Sequence, residues 1–377
     1  MKARLTVAIA VSGHGFGHAV RCAEVGRALL ARGARVKIRT DAPRRLFPAG
    51  MEWLEAPDQG QLDVGVAQRD GLDLDIEETR RRWQAFAREF EQRADEEARL
   101  LQQHEVDVLI GDVPPLAFMA AARAGIPAAA VTNFGWDWIY AAWPGFEPAI
   151  DIVQTAYRAA DVLLRLPLHR PAAAAFPAFG RIEDVPLIAR RASRSRARVR
   201  EAMGWPAEAR VVLLSFGGFS ARGVDFAALR HWADYLFVLT PPMSLTSASW
   251  PANVVALNES PADYVSLLGA CDVVITKPGY GIVADCLANR VAVLFTDRGP
   301  FREYDVLADC LPRLGRARHL PRPALLAGQV GPYLDALLAS NRQPWTDQPM
   351  NGADVVAERV LAMAAIPPSE DVPPSKR

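Results

Sequence analysis

The sequence predicts an α/β protein made of two doubly wound, Rossmann-like domains facing each other across a cleft. Three features carry that expectation. Short β-rich runs alternate with helical stretches, the alternation restarts in the second half, and the strand runs of that half close on Gly, Pro, Asn or Asp. Open sheets of this kind bind ligands at the carboxyl ends of their strands.

In the first half "LTVAIAV", "RVKIRT", "VDVLIGD" and "AAAVTNF" read as parallel strands, with helices expected over 19–32, 77–103 and 115–124. Trp83, Phe86, Ala87, Phe90, Ala94 and Leu101 fall on one face of the long middle helix, a stripe that predicts core packing. After "ADVLLRLPL" come "HRPAAAAFPAFG" and "ARRASRSRARVR", which read as a linker and an opening helix. The second half supplies "RVVLLSFGGFS", "YLFVLT", "NVVALN", "CDVVITKPGYG" and "VAVLFTD" as strands. The expected division is a first domain over 1–180, a linker over 181–195, a second domain over 196–345, a last helix over 346–366 and a frayed tail over 367–377.

Composition narrows the function classes. With 377 residues and 50% hydrophobic content, both domains can bury a core. Lys+Arg and Asp+Glu balance at 43 each, which removes the basic field that drives non-specific nucleic-acid binding. The four cysteines, Cys22, Cys271, Cys286 and Cys310, form no C-x-x-C pair or zinc-type cluster, so free thiols in a reducing cytoplasm and no metal are expected. "MKARLTVAIAVSG" has no cleavage site of the signal-peptide kind and reads as a buried first strand, and no apolar stretch is long enough to span a bilayer.

The turn "SGHGFGHAVRC" is the most informative stretch. A dinucleotide fingerprint would need glycine where His18 stands, and a Walker loop would need G-K-[ST]. Glycines alone satisfy a tight turn, but two imidazoles at the cleft end of a strand are poor core material. A histidine there is suited to act as a general base. Asp112, just after another strand, either accepts a hydrogen bond from that imidazole or caps the helix that follows, with Pro114 and Pro115 in its first turn.

In the second half Gly217 and Gly218 clear a strand exit for an anion, with Phe219 next in the chain. Gly279 and Gly281, flanking Tyr280, clear another exit before a helix whose N-terminus would face a diphosphate. Lys277 or Arg302 would add full charge, Asp285 would accept from ribose hydroxyls, and Glu303 would reach sugar hydroxyls. Taken together these describe a nucleotide-sugar pocket. The dense aromatics of "TNFGWDWIY", Asn133, Trp136 and Trp138 among them, either stack on an acceptor or pack as a surface helix.

"SGHGFGHAVR", "VTNFGWDWIY", "LLSFGG" and "KPGYGIVADCLA" followed by "FREYDVLA" span both halves. On these stretches the chain resembles the GT-B nucleotide-sugar glycosyltransferases, and within them a branch similar to the N-terminal, glycosyltransferase-like module of L-arabinokinases. The resemblance implies an acceptor site in the first domain, touching His14, Phe16, Asn133, Trp136 and Trp138, and a donor site in the second. It implies metal-independent inversion with His18 as base, His14 as the less favoured candidate, and Asp112 orienting the ring. The family's ribose-binding acid is usually glutamate and falls here on Asp285; its sugar-contacting acid falls on Glu303, with Asp305 as a neighbour. The implied donor is a UDP-sugar and the acceptor a small molecule, glycan or natural product. No cofactor is implied beyond the nucleotide sugar, which is a substrate. No ATP loop of a sugar kinase follows, so kinase activity is not expected. Two alternatives share the pocket: a sugar-nucleotide 2-epimerase and a module that binds a nucleotide sugar without chemistry.

Overall fold

The computed structural model describes residues 4–55, 61–169, 176–245, 249–258, 263–340 and 345–365. The first sheet holds β1 (Thr6–Val11), β2 (Arg35–Arg39), β3 (Glu52–Trp53), β4 (Val108–Asp112), β5 (Ala128–Thr132), β6 (Val162–Arg165) and β7 (Ile182–Asp184), with helices α1 (Phe16–Ala31), α2 (Ile76–Gln103), α3 (Pro115–Ala124), α4 (Trp136–Tyr140) and α5 (Glu147–Tyr157) between them. After α6 (Arg196–Ala202) the second sheet is laid down by β8 (Arg210–Leu214), β9 (Tyr235–Leu239), β10 (Val254–Ala256), β11 (Val273–Thr276), β12 (Ala292–Phe295) and β13 (Ala317–His319). Its helices are α7 (Tyr264–Ala270), α8 (Tyr280–Asn289), α9 (Arg302–Leu314), α10 (Arg322–Leu326) and α11 (Gly331–Ala339), and α12 (Gly352–Ala365) closes the described chain.

Both sheets are wholly parallel. The first runs β3-β2-β1-β4-β5-β6-β7 and the second β10-β9-β8-β11-β12-β13. Each reverses its winding beside its first strand, which opens a crevice at the carboxyl edge there. Strand β7 lies inside the segment expected to be linker, because Ile182–Asp184 pairs with β6 and extends the first sheet. The expected tail over 367–377 and part of the Pro/Ala-rich stretch lie outside the described residues.

Local chemistry explains the elements that frame the cleft. Helix α1 begins at Phe16, three residues earlier than its apolar spacing suggests, because Gly15 turns the chain with a φ of 78° and the helix starts at once. His18 therefore sits in the first turn of α1. Helix α2 is capped by Asp75, whose side chain accepts from the Glu78 amide. Its buried stripe of Trp83, Phe86, Phe90, Ala94, Ala98 and Leu101 packs on α3. Each large side chain in that stripe contributes about 1.5–3 kcal/mol of burial. Helix α3 opens with Pro115 at its first position and closes on Gly125 at φ 70°.

One apolar cluster runs from β1 through α1, α12 and α8 into the second sheet. Helix α12 returns across the gap and packs on α1 and β4, so the end of the described chain ties the second half to the first. The segment between β3 and α2 crosses in the other direction. Gly71 donates to the Ser220 carbonyl at 2.9 Å, and Asp73 makes a two-bond pair with Arg322 at 2.7 and 2.6 Å. No helix among the described residues is long and apolar enough to cross a membrane.

Candidate active site

The carboxyl edges of the two sheets enclose a cleft of about 410 Å³, within the roughly 300–1,000 Å³ typical of small-molecule sites. The starts of α1 and α8 meet across it. A side chain at Gly281 would place its Cβ 3.2 Å from the Gly17 Cα, so the close approach of the helix starts depends on the missing side chain at Gly281.

On the first-domain wall, His18 holds its Nδ1 3.1 Å from Asp112 Oδ1 and lines the cleft. Among the described residues no hydrogen bond reaches its Nε2. Asp112 is fully buried at the end of β4 and does not cap α3, whose N-cap is Pro114 with no side-chain bond. Burial works against its charge, yet the adjacent Arg21 guanidinium and His18 outweigh that penalty and hold the carboxyl at about 2.

Arg21 was not singled out from sequence. It grips both Asp112 oxygens, through Nε to Oδ2 at 2.5 Å and through its second terminal nitrogen to Oδ1, and that same Arg21 nitrogen lies 2.9 Å from His18 Nδ1. The available signal was spacing: in "HAVR" the arginine follows His18 by three residues, on the same helix face. Its other terminal nitrogen donates to Asn133 Oδ1 at 2.9 Å. Asn133 in turn donates to Glu303 Oε1 at 3.0 Å, and Arg298 donates to Glu303 Oε2 at 3.1 Å. A continuous polar chain thus crosses from the first domain to the second.

His14 faces the same cleft in a different state. Its Nδ1 accepts the Val66 amide at 3.2 Å, so in the neutral ring the proton resides on Nε2. Burial, then the nearby Arg298 and His18, pull its pKa well below the usual imidazole value. A ring with one nitrogen occupied by a backbone donor and the other protonated has no free lone pair for a substrate proton.

The second-domain wall is built from absent side chains. Gly217 and Gly218 follow β8 with φ of 68° and 84°, and a Cβ on Gly218 would lie 2.3 Å from the Phe16 ring. Helix α8 starts at Tyr280 behind Gly279 with no side-chain cap, leaving its first amides directed at the cleft. Lys277 donates to Gln68 Oε1 at 2.9 Å and lies over the Phe219 ring. Burial, then Arg298, push its pKa well below the ordinary lysine value.

Several expected contacts are corrected by this geometry. Asp285 borders the cleft, but Arg190 takes both its oxygens, through the backbone amide to Oδ1 at 2.9 Å and the guanidinium to Oδ2 at 2.6 Å. Arg302 does not line the cleft, because it turns back to donate to the Trp138 carbonyl at 2.8 Å and lies against that ring. Asp305 is exposed on α9 and does not line the cleft, whereas Glu303 does. Trp136 is fully buried and stacked on Tyr140, its indole donating to Asp63 at 2.8 Å, and Trp138 is buried beside it. Neither borders the cleft; packing, the alternative to stacking, is what α4 does. Asn133 is buried within the polar chain, Phe16 borders the cleft, and the Tyr280 hydroxyl accepts the Ile188 amide at 3.2 Å.

No protein-family model matches the chain. Its sequence is 32% identical over 371 residues, 96% of its length, to L-arabinokinase of Arabidopsis thaliana, and it spans about a third of that relative, 34%. Among solved structures it superposes on the glycosyltransferase SnogD of Streptomyces nogalater with a TM-score of 0.59, at 17% identity over 96% of this chain and 99% of that one. It superposes on the UDP complex of UGT89C1 of Arabidopsis thaliana with a TM-score of 0.57, at 16% identity over 96% of this chain and 100% of that one. The fold is the GT-B glycosyltransferase fold.

Proposed function

We propose that the chain, which has the GT-B fold and resembles nucleotide-sugar glycosyltransferases, is an inverting glycosyltransferase. In this reading it moves the sugar of a nucleoside-diphosphate sugar, with UDP as the nucleotide, to an acceptor hydroxyl. The carrying observation is His18, which borders the cleft with Nδ1 fixed against buried Asp112 and Nε2 without a partner among the described residues. In the productive tautomer Nδ1–H donates to Asp112 and Nε2 takes the acceptor's proton. As that proton leaves, the acceptor oxygen forms its bond to the anomeric carbon. The bond from that carbon to the diphosphate oxygen breaks, and its electron pair departs with the diphosphate. The α8 amides, Lys277 and the Gly217–Gly218 backbone then face the growing negative charge. The neighbours support the nucleotide assignment, since one of them is a UDP complex.

A second reading is favoured by one observation. Arg21 occupies both Asp112 oxygens and stands 2.9 Å from His18 Nδ1, where its N–H is able to donate only if that nitrogen carries no proton. In that tautomer Nε2 is protonated and the chain binds a nucleotide sugar without transferring it. Incubation with UDP-sugars and an acceptor panel separates the two. Transferred sugar that disappears in His18→Ala supports the enzyme. Stabilisation of the fold by UDP-sugars with no transfer to any acceptor supports the binding module.

A further inference from the structure

Beside His14 a second cavity of about 210 Å³ adjoins the cleft. His14, Gly15, Gln68 and Phe219 border both spaces, so the two adjoin at that point. The smaller one lies below the roughly 300 Å³ at which drug-sized pockets begin, which suits a single compact ring. Its wall is mainly hydrogen-bonding. Asp41, Gln61, Asp63, Gln68 and Arg82 contribute side chains, while Val64, Val66 and Phe219 supply the apolar part.

The polar groups are organised by bonds among themselves. Asp41 accepts from the Gln61 amide through Oδ2 at 3.0 Å, and its Oδ1 has no hydrogen-bond partner among the described residues. Asp63, buried, is fixed by the Trp136 indole at 2.8 Å. Gln68 is fixed by Lys277, and Arg82 by Glu78 at 2.8 Å. The aromatic side chains of α4 that a planar acceptor would stack on are instead packed on one another in the core.

We infer that this cavity seats the non-reacting part of the acceptor, and that the acceptor is a compact polyhydroxylated ring, a monosaccharide or cyclitol. The inference rests on the transferase reading above and names its acceptor class. A polyol offers donors to the Asp41 and Asp63 carboxylates and acceptors to Arg82 and Gln61, replacing the water those groups lose on binding. Its C–H face lies against Phe219. A flat polyphenol would cover the same groups with carbon and leave them dehydrated and unpaired.

The test uses the full chain with UDP-glucose as donor and two acceptor sets, methyl glycosides with myo-inositol in one and quercetin with simple phenols in the other. Transfer to the first set is expected to exceed transfer to the second. Asp41→Asn should raise the KM for the preferred polyol about tenfold, the loss of about 1.4 kcal/mol expected for one charged hydrogen bond, while UDP affinity and melting temperature stay as in the parent. Equal or better transfer to quercetin, or a polyol KM untouched by Asp41→Asn, would overturn the inference and leave the transferase reading standing. Titration of myo-inositol into the UDP-saturated protein separates the remaining case. Binding that Asp41→Asn abolishes, without transfer, keeps the cavity as a polyol site and sinks the transferase reading; no binding and no transfer overturns both.

Discussion

The corners after the first strand of each sheet occupy the same place in the same winding order, yet they are chemically opposite. After β1 the chain places His14, Phe16, His18 and Arg21 around the turn. After β8 it places Gly217 and Gly218 in left-handed backbone conformations. One corner presents titratable side chains and the other presents backbone. A doubly wound sheet fixes where a ligand sits, and the residues on each corner decide what can happen to it.

The strongest way to break that contrast is to empty the first corner. His18→Ala should lower transfer by about 10²–10⁴-fold, the range for loss of a positioned base, while UDP affinity measured by calorimetry is unchanged. Next in size come two buried aspartates, one in each half. Asp285 is 2% exposed and held by Arg190, so Arg190→Ala should cost about 3 kcal/mol in urea unfolding at neutral pH by stranding a buried carboxylate.

Asp137, at the start of α4, is also 2% exposed but has an oxygen without a partner among the described residues, and burial raises its pKa to about 6. The folded state then binds the proton more tightly than the unfolded chain, so this group's stabilisation is full below about pH 4 and is lost as pH rises to about 6. Asp137→Asn should remove that falling limb and add about 3 kcal/mol at pH 7, read from unfolding curves across pH. A parallel shift at every pH would point to packing instead.

Smaller effects sharpen the second corner. Gly218→Ala forces a side chain into φ 84° and against Phe16. About 1–2 kcal/mol of strain follows, seen as about tenfold weaker UDP binding. Arg322→Ala removes a partly exposed pair with Asp73 that ties the two halves together, and should cost no more than about 1 kcal/mol of stability.

What was legible in the sequence follows the same division. Strand ends and turn glycines are local, so both sheets, the His18 corner and the glycine corners could be read directly. Of the pairings between distant segments, His18 with Asp112 was legible because both lie at the carboxyl ends of predicted strands, and the others were not. Arg21 meets Asp112 across 91 residues, with only its spacing from His18 as a signal, and Arg190 meets Asp285 across 95 with no local signal at either residue. The fate of Arg302 depended on helix phase: α9 starts at that residue, so Glu303 turns into the cleft while Arg302 turns back to Trp138. The aromatic run of α4 was ambiguous because stacking on a ligand and packing on a core use the same residues.

The division of labour between the two corners is tested most directly by titrating UDP into His18→Ala and Gly218→Ala and measuring sugar transfer by each. The account predicts that His18→Ala binds UDP as the parent does and transfers about 10²–10⁴-fold more slowly, whereas Gly218→Ala binds UDP about tenfold more weakly and loses far less turnover once saturated. Loss of UDP binding in His18→Ala, or parental transfer by it, would contradict the account.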